Sequence, residues 1–565
     1  MIEPRIMRIF STPSSGAAAL MIARLHDFVG RARMLQTSIT ALTLLALSTA
    51  VADERRSMRT DGPIPWQACT EDTLLGYECA SVPVPLDYRK PDRAQVLLAL
   101  ARRPAGDPAR RIGTIFVNTG GPGSGARRFM NSTDARLGPE VLARFDVVAM
   151  DPRGVGASTA VQCFDTNEAF LAVNYEPTSN PRTTAEIAAA RVRAKRYGEA
   201  CERRAGRLLD HVGTLNVVRD LELLRQRVGD RRFNYLGYSY GTFIGVIYAA
   251  RYPEKVRALV LDGNVDPSMR ANNRLLNVFE RTGGFELALD AFLSACDAAG
   301  PACAFSGNAH AKYAALLEVL RRGPIETANG PVTFDKVTDA LALQLYSLAR
   351  LPAAAAALQD AYRGVFPETE VGGPLLDKAI PAPLLPAPNP NYTYGSADAS
   401  YAVNCIDAPL PRRPSAFAQY ALQFEAAHPS FGRALLFNEL PCATWPVVTR
   451  DRHTGPWMNR ADNPALLINS TFDPATRLLF AERTRQQLVH ARLLTLDGFG
   501  HCSQASQCVR DWQSRYFLDL TLPPPGTRCA QDLPPFPPQA QTALRAGPVP
   551  LGTLSPSEPA PGMPP

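Results

Sequence analysis

The chain has 565 residues, 46% of them hydrophobic and 20% charged, the balance of a globular protein with room for a large core. Its net charge of +7 arises from 60 basic and 53 acidic residues, with no dense Lys/Arg block interleaved with aromatics, which argues against a nucleic-acid partner. Length alone allows up to about four domains.

Near the N-terminus, Arg31 and Arg33 precede an apolar run over 38–52 that ends Ala50-Val-Ala52. A basic start, an apolar stretch and an A-x-A end predict a secretory signal, so 1–52 is set apart from the fold and the mature chain is expected to be secreted or periplasmic. The run is too short to span a bilayer, and no other stretch reaches about 18 uninterrupted apolar residues, so no stable membrane span is expected. Eleven cysteines in an exported chain should be mostly paired. Cys69 with Cys79 and Cys296 with Cys303 are the nearest candidates, and Cys163 with Cys201 and Cys405 with Cys442 would close longer loops. Of Cys502, Cys508 and Cys529 at most two can pair; Cys508 with Cys529 is favoured, leaving Cys502 free. None of the spacings resembles a metal site, and no cofactor is expected.

Residues 78–87 and 95–102 read as strands joined by a Pro/Asp turn, an antiparallel start to a sheet. Residues 113–118 form a short β-branched run that empties into Thr119-Gly-Gly-Pro-Gly-Ser-Gly125, whose glycines free the backbone to turn its N–H groups inward. A Walker loop would need Gly-Lys-Ser/Thr there, and Gly125-Ala-Arg127 lacks it. Residues 145–151 are another buried strand, followed by a bend that carries Arg153. Helical patterns occupy 163–212 and, with a capping threonine, 214–227.

The pattern then converges on 233–242, where Gly237-Tyr-Ser-Tyr-Gly241 is a G-x-S-x-G sequence between a short apolar strand and a buried helix over 243–251. Strand, tight turn and helix together predict a nucleophile elbow with Ser239 at its apex and the electropositive helix N-terminus beneath it. After a strand over 256–262, strand signals stop for about two hundred residues. Residues 267–455 carry helical patterns at 275–299, 309–322 and 334–363 and a Pro-rich loop at 381–390, the composition of an inserted helical cap. Strands resume at 464–471 and 491–496. The expected layout is a core in two parts, 53–266 and 456–522, the cap at 267–455, and a Pro-rich tail over 523–565 that is disordered after about Cys529. Wholly apolar strands alternating with helices indicate an α/β fold with a mostly parallel sheet and its site at the strand C-termini.

A serine hydroxyl needs a base to take its proton and a carboxylate to orient that base. Seven histidines are present. Only His501 follows a predicted sheet strand in a short Gly-rich loop, unlike His26, His211, His310, His428, His453 and His490. Asp473, just past the 464–471 strand, is the expected acid, since Ser239, Asp473, His501 is the chain order of α/β-hydrolases. Asp262 is the rival, and Asp497 is read as a turn residue. The oxyanion donors are expected to be the backbone N–H of Tyr240 and one from Gly120 or Gly121.

Asn118-Thr-Gly-Gly-Pro-Gly, Asp151-Pro-Arg-Gly-Val-Gly-Ala-Ser, Gly237-Tyr-Ser-Tyr-Gly, Asp473-Pro-Ala-Thr and Gly500-His501 together resemble the proline iminopeptidase and tripeptidyl aminopeptidase branch of the α/β-hydrolases, over roughly residues 66–530. The segments around Cys405, Cys442 and Cys529 are similar to the secreted tripeptidyl members, which supports pairing Cys405 with Cys442 and Cys508 with Cys529. The resemblance implies a secreted serine exopeptidase acting on peptides with a free N-terminus, with a carboxylesterase using the same triad as the alternative. Asn118-Thr119 stands where a histidine commonly precedes Gly-Gly-Pro-Gly, which argues against a strict proline iminopeptidase. An aminopeptidase must hold an ammonium, and Glu280 and Glu286 are candidates among several acids.

Overall fold

Ten strands of the described residues pair into one sheet: β1 (Gln67–Ala68), β2 (Glu78–Pro85), β3 (Gln95–Arg103), β4 (Gly113–Asn118), β5 (Phe145–Met150), β6 (Phe233–Tyr238), β7 (Val256–Asp262), then β10 (Ala465–Phe472), β11 (Ala491–Phe499) and β12 (Arg528–Ala530). Between β7 and β10 a separate hairpin forms from β8 (Ile325–Thr327) and β9 (Gly330–Val332). The computed structural model describes residues 62–174, 178–327, 330–366, 396–503 and 506–538; the signal-like stretch, the 381–390 loop and the tail beyond 538 lie outside them. The sheet order is β1-β2-β3-β5-β4-β6-β7-β10-β11-β12. β1 to β3 run antiparallel and β3 meets β5 antiparallel, while every pairing from β5 across to β12 is parallel. This is the α/β-hydrolase fold.

Alternation along the central strands divides the core between two faces, as a period of two requires. Phe116, Val148, Tyr235, Leu259 and Leu261 pack on one side with the helices Thr214–Arg227 and Tyr240–Arg251. Ile115, Val117, Val147, Leu236 and Val260 face the other side, against Val509, Tyr516 and Phe517 of the helix Gln507–Asp519. Covered on both faces, these strands need no polar side, which is why they read as unbroken apolar runs. The sheet's C-terminal edge is thereby left for β4, β6, β7, β10 and β11 to present their turns together.

The chain between β7 and β10 builds a third apolar cluster of its own around Phe285, Phe292, Leu316, Leu341 and Leu358. Two sequence expectations change here. The pattern over 334–363 is two helices, Phe334–Gln344 and Leu351–Val365, separated by a break that carries Tyr346. Pro352 at the start of the second helix explains the break, because it cannot supply an interior backbone donor. The chain beyond Cys529 also stays ordered further than composition suggests: β12 joins β11, and Phe536 is buried against Phe292, ring centroids 5.8 Å apart.

Disulfides join Cys69–Cys79, Cys163–Cys201, Cys296–Cys303, Cys405–Cys442 and Cys508–Cys529, and Cys502 is free and buried. Among the described residues no helix is long and apolar enough to cross a membrane.

Candidate active site

Ser239 lies between β6 and the helix Tyr240–Arg251 with φ 53° and ψ −122°, a left-handed state that a serine occupies only when its surroundings enforce it. The flanking glycines are sterically required. A Cβ on Gly237 would fall 2.5 Å from Gly241 O, and one on Gly241 would fall 2.8 Å from Asn118 O. The tight turn keeps Ser239 partly exposed at the N-terminus of a buried helix, among otherwise buried neighbours.

The loop after β4 approaches this turn closely. Gly120 and Gly121 have φ of +98° and +103°, and a Cβ on Gly120 would lie 2.8 Å from Ser239 Cβ and 3.4 Å from Tyr240 N. The Gly120 amide donates to Asn118 Oδ1 at 2.9 Å. Of the two glycines, Gly121 therefore keeps its N–H available, as does Tyr240, the first residue of its helix, where no intrahelical acceptor exists.

Asp473 and His501 are brought together as the strand order requires, on the turns after the adjacent parallel strands β10 and β11. His501 Nδ1 lies 2.9 Å from each carboxylate oxygen of Asp473. The carboxylate also accepts the amides of Ala475 (2.9 Å), Thr476 (2.8 Å) and Cys502 (3.1 Å) and the Thr476 hydroxyl (2.9 Å). These donors satisfy a carboxylate that is wholly buried. The Thr476 hydroxyl also lies 3.2 Å from His501 Nδ1. With Nδ1 committed to Asp473, Nε2 is the nitrogen left to act, and it is buried without a hydrogen-bond partner. Ser239 and His501 are neighbours through one dipeptide: Ser239 N–H donates to Asp262 O at 2.9 Å, and a Cβ on Gly263 would lie 3.4 Å from His501 Cε1.

The rival acid takes another partner. Asp262 accepts the amide and hydroxyl of Ser503 rather than the imidazole, and burial pushes its carboxyl up to about 6. Asp497 ion-pairs with Arg528 at the sheet edge. Glu280 is paired with Arg477 at 2.8 Å, and Glu286 accepts the amides of Ser430 and Phe431, so both candidate amine ligands are already engaged within the protein. Arg153 has no part in the site; it is fully buried, paired with Asp220 and donating to three main-chain carbonyls.

Two neighbours of the base escaped the sequence reading. Thr476 stands three residues after Asp473, the spacing at which a turn returns a hydroxyl to an aspartate, and that local signal could have assigned it. Tyr346 has no such signal. It arrives from the break between two helices of the insertion, accepts the His501 N–H on its carbonyl at 2.9 Å, and sets its ring edge-on to the imidazole with centroids 5.2 Å apart.

Residues 113–302 match a family model described as the alpha/beta hydrolase fold, and residues 428–529 match one described as TAP-like protein. The tripeptidyl aminopeptidase of Streptomyces lividans is 30% identical over 490 residues, 84% of this chain and 88% of the relative. Carboxylesterase B of Mycobacterium tuberculosis H37Rv is 32% identical over 482 residues, 82% and 89% of the two chains. Serine protease Hip1 of the same strain is 29% identical over 537 residues, 89% and 99%.

Proposed function

The chain belongs to the TAP-like α/β-hydrolases and is a serine hydrolase, and from that premise we propose that it is an exported aminopeptidase that releases short peptides or single residues from free N-termini. The observation that carries the reading is the bidentate approach of His501 Nδ1 to Asp473, 2.9 Å to each oxygen, beside the elbow that presents Ser239. In this reading Nε2 takes the Ser239 proton as Oγ bonds to the scissile carbonyl carbon, and the carbonyl electrons move onto oxygen, where the Gly121 and Tyr240 amides receive the charge. The amine then leaves with the proton from His501. Water repeats the sequence on the acyl-enzyme, His501 taking its proton, and the peptide acid departs from Ser239. Export is supported by the apolar run ending at Ala52 and by five disulfides.

Peptide substrates are supported by relatives named as a tripeptidyl aminopeptidase and a serine protease. A second reading, a carboxylesterase, is favoured by the relative of that name at 32% identity. Residues 53–565 assayed on Ala-Ala-Pro-, Ala-Pro-, Pro- and Ala-nitroanilides, with free and blocked amines, beside a nitrophenyl ester, separate the two. Cleavage of free but not blocked peptides, abolished in Ser239→Ala, is the expected result. Ester turnover without amide cleavage would establish the second reading instead.

A further inference from the structure

β7 ends on a buried carboxylate that takes no part in the proposed chemistry. Asp262 is 3% exposed, and its two ends hold two different parts of the site. Its main-chain carbonyl accepts the Ser239 amide at 2.9 Å and the Cys502 thiol at 3.5 Å. Its carboxylate accepts the Ser503 amide at 3.0 and 3.1 Å and the Ser503 hydroxyl at 2.7 Å.

The loop so held is under strain. Cys502 has φ 64°, unfavourable for a residue with a Cβ, and it links the base to Ser503. Carboxylates fix consecutive amides on this loop: Asp473 takes Cys502 N–H, and Asp262 takes Ser503 N–H. An apolar residue would fill the end of β7 without the penalty of burying a charge. Burial and the Asp473 charge push the Asp262 carboxyl up to about 6, while Ser503 and His501 pull it down; Tyr238 and the Cys502 thiol also lie in its field.

We propose that Asp262 is a positioning residue, locking the His501–Ser503 loop to the strand end that also anchors Ser239 and so fixing the distance from nucleophile to base. The inference rests on Ser239 and His501 being that nucleophile and base.

The test measures turnover per active site, counted by fluorophosphonate labelling of Ser239, on whichever chromogenic substrate the enzyme accepts. Asp262→Ala is expected to lower kcat about tenfold to a hundredfold with KM within about twofold, as misplacement of a base by a fraction of an ångström does. Asp262→Asn keeps an acceptor for Ser503 and should recover most of kcat at pH 8. Asp262→Ala turning over at the wild-type rate per labelled site, or Asp262→Asn losing as much kcat as Asp262→Ala, overturns the proposal. Should Asp262→Ala fail to fold, Ser503→Ala replaces it, with the same fall in kcat expected and an unchanged kcat overturning the proposal. Failure of Ser239 to label in the wild type would break the underlying reading instead.

Discussion

The sheet edge and the helical insertion hold their parts of the site by different means. On the sheet edge, Ser239, Gly120, Gly121, Asp473 and His501 sit on turns after parallel strands, and their positions follow from main-chain hydrogen bonds and close backbone approach. The insertion reaches this region from outside the sheet: the Tyr346 carbonyl accepts the His501 N–H while its ring packs on the imidazole, Glu280 pairs with Arg477, and Gly284 lies against Pro474, where an added Cβ would fall 2.6 Å from the Pro474 carbonyl. In the proposed reading the reacting groups stand on turns that the sheet fixes, whereas the insertion bears on them from outside the sheet.

The largest effects should come from breaking the sheet side. Asp473→Asn leaves the shape intact but removes the charge that fixes the imidazole tautomer, and a loss of about 10⁴ in kcat is expected from active-site-titrated kinetics. Gly120→Ala comes next. Its methyl would meet Ser239 Cβ and the Tyr238 carbonyl, each at 2.8 Å, at a φ of +98°. Moving the elbow away from the Gly121 amide should cost about a hundredfold in kcat and slow fluorophosphonate labelling in parallel, and an unchanged labelling rate would show that the loops have slack.

Tyr346→Ala tests the insertion's share. The carbonyl that receives His501 N–H remains, and only the ring against the imidazole is lost. A loss of about tenfold in kcat is expected, smaller than either sheet-side change. A loss as large as that of Asp473→Asn would mean that the insertion, and not the sheet, fixes the base.

The same division explains how much could be read from the sequence. Ser239, Asp473 and His501 were singled out because each lies on a turn shortly after an apolar strand, and the fold brings such turns to one edge. The five disulfides followed from spacing and from resemblance to the secreted tripeptidyl members. Gly120 and Gly121 could not be separated, because the choice depends on the Asn118 amide folding back onto Gly120 N–H, a side-chain conformation with no periodic signature. Tyr346 and Phe536 were missed for a related reason. One lies in an apparently continuous helical pattern and the other in a Pro-rich tail, and the partners that fix them, His501 and Phe292, are more than a hundred residues away.

Thr476→Val probes the boundary between these two kinds of control at the smallest expected amplitude. The hydroxyl donates to Asp473 Oδ2 at 2.9 Å and stands 3.2 Å from His501 Nδ1, so it spans acid and base without carrying charge in the reaction. Valine keeps the shape of the side chain and the Thr476 amide, and Asp473 retains the amides of Ala475, Thr476 and Cys502. Three main-chain donors already orient the carboxylate, so the remaining loss should be about threefold in kcat, the size of one neutral hydrogen bond, with KM unchanged. A loss above about thirtyfold would show that the side-chain bridge, and not the backbone of the turn, sets the angle between Asp473 and His501. The sheet side would then depend on side-chain contacts as the insertion does.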